Sequence, residues 1–378
     1  MNDRTMENIK KEKKHSLPKG CEIKKLGEVC EMYQPKTIST KEMVDDGQYP
    51  VFGANGIIGK YDKYNHEEPQ LLITCRGATC GSVNISEPKS WINGNAMVVR
   101  PKDHSIDLKF LEYLFRGGID LSKTITGAAQ PQITRQSLIP IEISYPKSLP
   151  EQQRIVSILD EAFAAIAKAK ANAEQNLKNT KELFESYLQG VFDPSTRSGQ
   201  EKGDGWEEKR FDEVCVLQRG FDLPTHSRFE GEYPLVSSNG ITDRINEWKV
   251  KAPGVVTGRS GTIGNVHFIV EDFWPLNTAL YIKDFHGNDE RFIYYFLTAF
   301  DLSKYSSGAG VPTLNRNNVH SVKVRIPKSK TQQQTIVRQL DTLRIETQKL
   351  ESIYQKKILL LEELKKSILQ KAFSGELN

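Results

Sequence analysis

Ser148-Leu149-Pro150-Glu151-Gln152-Gln153-Arg154-Ile155-Val156 opens the stretch, running to Val191, whose reading decides how this chain is built. Ser148 suits a helix N-cap and Glu151 the reciprocal arm of a capping box. Apolar residues then recur at Ile155, Leu159, Ala162, Ile166, Ala169, Ala173, Leu177, Phe184, Tyr187 and Val191. Steps of mostly three and four make a seam along one face of a long helix, shaped to lie on another long helix. The chain supplies such a partner. Ser329-Lys330-Thr331-Gln332 forms a second capping box 181 residues later, followed by Ile336, Leu340, Leu343, Leu350, Tyr354, Leu361, Leu364 and Ile368. The ends echo as well: Tyr187-Leu188-Gln189 with Phe192 answers Ile368-Leu369-Gln370 with Phe373.

Outward from the first helix, Asp193-Pro194 stops the periodicity, and the polar, glycine-bearing stretch to Gly205 reads as a linker. Before the helix, short apolar runs alternate with Gly, Pro, Asn and Asp, as in Tyr49-Pro50-Val51-Phe52-Gly53, Leu71-Leu72-Ile73-Thr74 and Ala96-Met97-Val98-Val99. Those are strands with turns between them, and Phe110 to Phe115 is a short helix. After Gly205 the pattern starts again. Tyr233-Pro234 with Asn239-Gly240-Ile241 repeats Tyr49-Pro50 with Asn55-Gly56-Ile57. Arg259, Thr262, Gly264 and Val266 repeat Arg76, Thr79, Gly81 and Val83, and Trp274 and Ala279 match Trp91 and Ala96. The offset drifts from 185 to 181, as it must when surface loops gain and lose residues. The chain is two copies of one unit, each a β-rich domain followed by a long helix.

The segments are therefore 1–19, a polar lysine-rich tail; 20–147, the first domain; 148–192, the first long helix; 193–205, the linker; 206–328, the second domain; and 329–374, the second long helix. The class is α+β. A seam must be buried, and the nearest matching seam belongs to the other copy, so the expectation is an antiparallel helical pair with a pseudo-two-fold internal repeat.

At 378 residues the chain suits two domains with connectors. No run approaches the roughly 18 apolar residues that would cross a bilayer. The first residues lack the apolar core of a signal peptide, and five scattered cysteines argue against a disulfide scaffold, so a cytoplasmic protein is expected. The net charge of +4 neither requires nor excludes nucleic acid, and charges balance within each domain, so any basic surface must be local.

The sequence also carries a specific resemblance. Each domain ends in a Gly-x-x-x-Pro-x-Ile/Leu segment, Gly127 to Ile133 and Gly308 to Leu314. A Pro-led helix start with Glu/Gln-Gln-x-x-Ile-Val follows, over Pro146 to Val156 and Pro327 to Val337. Between Gly20 and Leu377 the chain resembles the specificity subunit of type I restriction-modification enzymes. The second copy departs from the pattern by lacking the Pro-Glu that Pro150-Glu151 supplies. The resemblance implies two target-recognition domains joined by two long antiparallel coiled-coil helices. It implies double-stranded DNA as ligand, each domain reading half of a split site, with two N6-adenine methyltransferase subunits docked on the helices and restriction (translocase/endonuclease) subunits joining them. It implies no catalysis and no cofactor in this chain: S-adenosylmethionine, ATP and Mg²⁺ would belong to the partner subunits.

Residues that could carry chemistry agree. Gly53 to Lys60 glances at a phosphate loop, but its first glycine is misplaced and Tyr61 stands where Ser or Thr would hold Mg²⁺; a turn is the better reading. Cys75 and Cys80 have no His or Cys pair at zinc spacing, and their counterparts are Gly258 and Ile263, so they read as packing thiols. For DNA the candidates are Arg76 and Arg259, which can fork onto guanine or phosphate or else hold loop carbonyls. Residues that differ between the copies are better placed to read different bases: Lys60 and Tyr61; Gln130, Gln132 and Arg135; Asn315, Arg316 and Asn317. The last two groups equally suit packing of a domain onto its helix. The helix seam is assigned to Ile155, Leu159, Ile166, Leu177 and Phe184 with Ile336, Leu340, Leu350, Leu361 and Ile368. The competing class is a non-catalytic scaffold whose paired helices recruit proteins and whose domains bind protein or RNA.

Overall fold

Asn-Gly pairs between alternating apolar strands favour tight hairpins, because glycine reaches positive φ without strain. In the computed structural model, which describes residues 20–127, 131–192, 205–308 and 312–374, both such pairs sit at hairpin turns, with Gly56 at φ +125° and Gly240 at +92°. The 1–19 tail and nearly all of the linker lie outside the described residues.

The first domain contains β1 (Cys21–Lys25), α1 (Leu26–Val29), β2 (Cys30–Tyr33), β3 (Tyr49–Gly53), β4 (Gly56–Tyr61), β5 (Leu71–Thr74), β6 (Val83–Ile85), β7 (Trp91–Ile92) and β8 (Ala96–Pro101). Then come α2 (Leu108–Tyr113), α3 (Arg135–Leu138), β9 (Glu142–Pro146) and the long helix α4 (Leu149–Phe192). Its sheets are an antiparallel β2-β8-β5-β6, a mixed β4-β3-β7 and the pair β1-β9. The second domain repeats this order with β10 (Trp206–Arg210), α5 (Phe211–Val214), β11 (Val216–Arg219), β12 (Glu230–Ser237), β13 (Gly240–Ile245), β14 (Gly254–Gly258), β15 (Val266–Ile269), β16 (Trp274–Pro275) and β17 (Ala279–Asp284). It closes with α6 (Glu290–Ala299), β18 (Ser306–Ser307), β19 (Thr313–Leu314), α7 (Arg316–His320), β20 (Lys323–Pro327) and the long helix α8 (Lys330–Ser374). Its sheets are β11-β17-β14-β15, β13-β12-β16 and β10-β20, so the duplication extends to topology, with β18-β19 standing where the first copy has the Thr126–Gln132 bridge.

Packing divides the chain into one unit of residues 1–173 with 356–378 and another of 174–355, so each long helix belongs to both. In the first unit, Ile155 and Leu159 of α4 join the domain core together with Leu369 and Ala372 of α8. Further along α4, Lys170 meets Glu362 at 2.6 Å. The numbers rise on one helix as they fall on the other, so the pair is antiparallel there. In the second unit Phe184, Leu188 and Val191 pack in one core with Ile336, Val337 and Leu340. Buried leucines such as Leu159 and Leu340 each contribute roughly 1.5–3 kcal/mol.

Each domain is keyed to its helix in the same way. Asp107 caps α2 by accepting from the Lys109 and Phe110 amides, both at 2.9 Å, and Asp289 caps α6 through Arg291 and Phe292. The amide of each capping aspartate donates to a glutamine of the long helix: Asp107 to Gln152 Oε1 at 2.8 Å, Asp289 to Gln333 Oε1 at 2.9 Å. Gln152 Nε2 donates to Ser105 and Pro146 carbonyls, and Gln333 Nε2 to Asn288 Oδ1 and the Pro327 carbonyl. These glutamines are 0% and 1% exposed and fully engaged, so their burial is paid for in hydrogen bonds. In the first unit Gly117 comes so close to α8 that a Cβ there would lie 2.6 Å from Leu369 Cβ.

Several expectations need correction. The Ser148 capping box does not form: Glu151 turns its carboxylate to Arg154 at 2.8 and 2.9 Å, while Ser148 accepts through its carbonyl. In the second copy Ser329 Oγ does accept from the Gln332 amide at 3.2 Å. Along the seam, Leu350 is 40% exposed and Thr347 takes the buried position, while Tyr187 is 42% exposed and Leu188 is buried instead. Leu364 also faces outward. A helix of 3.6 residues per turn drifts from a strict seven-residue repeat, so a seam extrapolated over many turns slips by a residue. Thr180 and Thr347 tolerate burial because each hydroxyl donates to the carbonyl four residues back. Ile155, Leu159, Ile166 and Leu340 are buried, while Leu177, Phe184, Ile336, Leu361 and Ile368 are partly buried. None of the described helices is long and apolar enough to cross a membrane.

Candidate nucleic-acid interface

In each domain the loop after a central strand is held against the segment that leads toward the long helix. In the first, Gly77 N donates to the Pro131 carbonyl at 3.2 Å and Ile133 N to the Cys75 carbonyl at 2.9 Å, while Arg76 bridges Gln132. Gln132 is pinned from the other side by a reciprocal pair with Thr126 at 2.8 and 2.9 Å. In the second, Leu314 N donates to the Arg259 carbonyl at 2.8 Å and Ser260 bridges Thr313. Residues more than fifty positions apart in sequence are thus brought side by side: Arg76 with Gln132, and Arg259 with Leu314-Asn315. Rigid backbone with outward side chains is what base readout needs.

The two arginines differ. Arg76 is exposed and makes no side-chain hydrogen bond or ion pair among the described residues. Arg259 is half-buried, and its Nη1 donates to the Asn277 carbonyl at 3.1 Å, so part of its fork holds a loop. Gln132 and Arg135 are exposed, Arg135 being the first residue of α3, which Thr134 caps through the Ser137 amide at 3.2 Å. Asn315 caps α7 by accepting from the Asn317 amide at 3.1 Å, leaving its amide N–H₂ as the free edge. Arg316 and Asn317 are exposed on the first turn of α7. Gln130 lies outside the described residues.

Lys60 and Tyr61 are not part of this cluster. The phosphate-loop look-alike is the β3–β4 hairpin, whose tip touches β5: Thr74 Oγ1 donates to the Ala54 carbonyl at 2.7 Å. Lys60 and Tyr61 sit at its far end, opposite Pro50 and Tyr49, on the order of 13 Å along the strand from Gly56. Lys60 is exposed, while Tyr61 is half-buried with its ring edge-on against Trp91 at 5.3 Å.

Sequence reasoning missed the hairpin tips. Thr262 Oγ1 donates to Asn239 Oδ1 at 3.0 Å and to the Ser238 carbonyl at 2.8 Å, which ties the β12–β13 tip to the Arg259 loop. The repeated Asn-Gly was the available signal. Cys75 is buried and burial raises its thiol pKa, as expected of a packing residue.

The long helices carry apolar side chains that neither unit covers: Leu359, Leu360 and Leu364 in the first, and Leu183, Tyr187, Ile345, Leu350 and Ile353 in the second. In the second unit Leu183, Tyr187, Arg338, Thr342, Leu343 and Glu346 line an open groove of about 470 Å³ between the two helices.

The comparisons with known proteins converge on one family. A family model described as the type I restriction modification DNA specificity domain matches residues 18–178 and again 203–359. The specificity subunit of the type I restriction enzyme EcoDI from Escherichia coli is 22% identical over 411 residues, covering 96% of this chain and 89% of that protein. The EcoprrI specificity subunit, also from Escherichia coli, is 25% identical over 192 residues, 49% of this chain and 47% of that one. Two solved structures share the fold at 18% identity. One comes from work on complex assembly and conformational transition of the type I R-M system, with TM-score 0.77 over 96% of this chain and all of that one. The other is the HsdS subunit from Thermoanaerobacter tengcongensis, with TM-score 0.64 over 97% and 100%. With both copies matched over most of its length, the chain belongs to the family of type I restriction-modification DNA specificity subunits.

Proposed function

We propose that this chain reads a bipartite DNA site, one half per domain, and presents it to partner subunits that perform the chemistry. The observation that carries the reading is the duplicated loop assembly, with an arginine common to both copies and unlike exposed side chains beside it. Arg76, Gln132 and Arg135 crown one copy, and Arg259, Asn315, Arg316 and Asn317 the other. Arg can fork onto guanine O6/N7, while Gln and Asn can pair with adenine edges. A shared framework with different tips reads two different half-sites.

The long helices, each shared by both units, set the interval between the half-sites. Their uncovered leucines and the groove at Leu183 and Tyr187 dock two N6-adenine methyltransferase subunits, and restriction subunits join that assembly. S-adenosylmethionine, ATP and Mg²⁺ are bound by those partners, and this chain catalyses nothing alone. The deciding experiment co-expresses it with its methyltransferase and maps modified adenines genome-wide. A split motif whose one half alone changes when residues 206–328 are exchanged for a relative's domain is the expected result. Modification that ignores the exchange, or follows it in both halves, overturns the reading.

A further inference from the structure

In the second unit the turn at Asn239-Gly240, strand β15, helix α6 and the early turns of α8 border an open cavity of about 530 Å³. Arg291, Arg344 and His267 reach it. Arg291 is already committed: its Nε meets Asp341 at 2.8 and 2.9 Å. Arg344 is not. Its guanidinium donates to the Tyr294 hydroxyl and lies 5.5 Å over that ring, yet makes no ion pair among the described residues. A half-buried guanidinium without a counter-charge is stabilised when an anion reaches it.

The corresponding place in the first unit is built from different residues. With Tyr113 and Asp160 as counterparts of Tyr295 and Asp341, Phe163 stands in the place of Arg344 and Glu112 in that of Tyr294. Asn84, the counterpart of His267, spends its amide on the Ala54 carbonyl at 3.2 Å. The cavity wall is tied to the candidate interface, because Asn239 accepts from Thr262, three residues beyond Arg259.

We propose that this cavity seats a phosphate of the DNA backbone, with the Arg344 guanidinium supplying the charge. The proposal rests on the DNA-reading function above. Its consequence is an asymmetry: the second domain has a backbone anchor at a place where the first carries Phe163 and Glu112 instead. Such a contact fixes register without reading a base.

The test uses the full chain in complex with its methyltransferase subunits, carrying Arg344→Gln or Arg344→Lys. Binding is measured across a salt series on a duplex bearing the modification site and on a scrambled duplex. Arg344→Gln should lower the slope of log K against log salt by about 0.9 on both duplexes, and Arg344→Lys should restore it. The modified sequence should stay the same. An unchanged slope with intact binding overturns the phosphate site alone. Loss of methyltransferase from the complex at an unchanged slope also overturns it and assigns the cavity to a partner carboxylate. If the unsubstituted complex does not prefer its own site, the DNA-reading function falls as well.

Discussion

The Tyr295 hydroxyl donates to Asp341 Oδ1 at 2.5 Å across the junction between α6 and α8, and Tyr113 meets Asp160 in the same way between α2 and α4. In the second copy Arg291 adds an ion pair to the same carboxylate at 2.7 Å and lies 5.9 Å over the Tyr295 ring. A repeated, charge-assisted bond at the point where a domain meets its helix makes that junction stiff, and a stiff junction is what holds reading loops in place.

Tyr295→Phe should therefore destabilise the protein by roughly 1.5–3 kcal/mol, because it removes a hydrogen bond to a charged acceptor and leaves that acceptor short of a partner. Urea unfolding followed by tryptophan fluorescence measures it. A loss below about 0.5 kcal/mol would show that Arg291 alone satisfies Asp341.

The same bond sets an alkaline limit. Burial, then the Asp341 hydrogen bond, raises the Tyr295 pKa to about 12, against an unfolded value near 10. A raised folded pKa gives stability that is full below about pH 10 and is lost as pH climbs toward 12. Wild-type stability should fall across that window, and Tyr295→Phe should fall less steeply. Parallel curves for the two proteins between pH 9 and 12 would contradict this.

Gln152→Leu and Gln333→Leu each strand a capping-aspartate amide and at least one carbonyl in a buried place, for a cost of roughly 1–3 kcal/mol per orphaned group. Thermal melts should show a marked drop for either, despite the gain in side-chain hydrophobicity. Unchanged melting temperatures would mean that water or rearrangement replaces the amide.

In the reading loops, Arg76→Ala should relax one half of the modified sequence and cost about 1–3 kcal/mol of discrimination, with folding intact because the exposed side chain makes no hydrogen bond or ion pair among the described residues. Arg259→Ala should cost both recognition and some stability, since it also holds the Asn277 carbonyl. Motif mapping with the partner methyltransferase, beside thermal melts, separates the two effects. Equal behaviour of the two variants in both assays would erase the distinction.

Spacer preference tests the helices. One heptad inserted into each of α4 and α8 preserves both apolar faces and lengthens each helix by roughly 10 Å, equivalent to about three base pairs. The shift also rotates one half-site by roughly 100°, so methylation should weaken on the original site and recover best with one to three extra pairs. Full activity with the old spacer would remove the ruler.

How much of this was legible in the sequence depends on what each residue had to signal. The duplication and both long helices were plain, because apolar periodicity and repeated Asn-Gly, Arg and Trp positions leave a trace whatever the tertiary context. The detailed seam was not, since Thr347 is buried by bonding its own backbone and Leu350 is turned outward by helical drift. Glutamine is mostly a surface residue, yet Gln152 and Gln333 are the keys of the two junctions, and their recurrence in both copies was the only trace of it. Convergence of Arg76 with Gln132 is a matter of strand pairing across fifty-six positions, which no local pattern encodes. Lys60 and Tyr61 were picked for differing between copies, a criterion that does not distinguish a loop tip from the base of a hairpin.

The sharing of α8 between the units has a consequence for synthesis. The unit of residues 174–355 is one uninterrupted stretch, whereas the domain made first needs residues 356–378 to cover Phe110 and Leu114. At about 5–20 residues per second, that apolar face waits roughly 10–40 s on the ribosome for the end of the chain, while the later-made unit already has all its parts. A stop codon after Gln355 would then spare the half translated last and leave the half translated first open to chaperones and proteases.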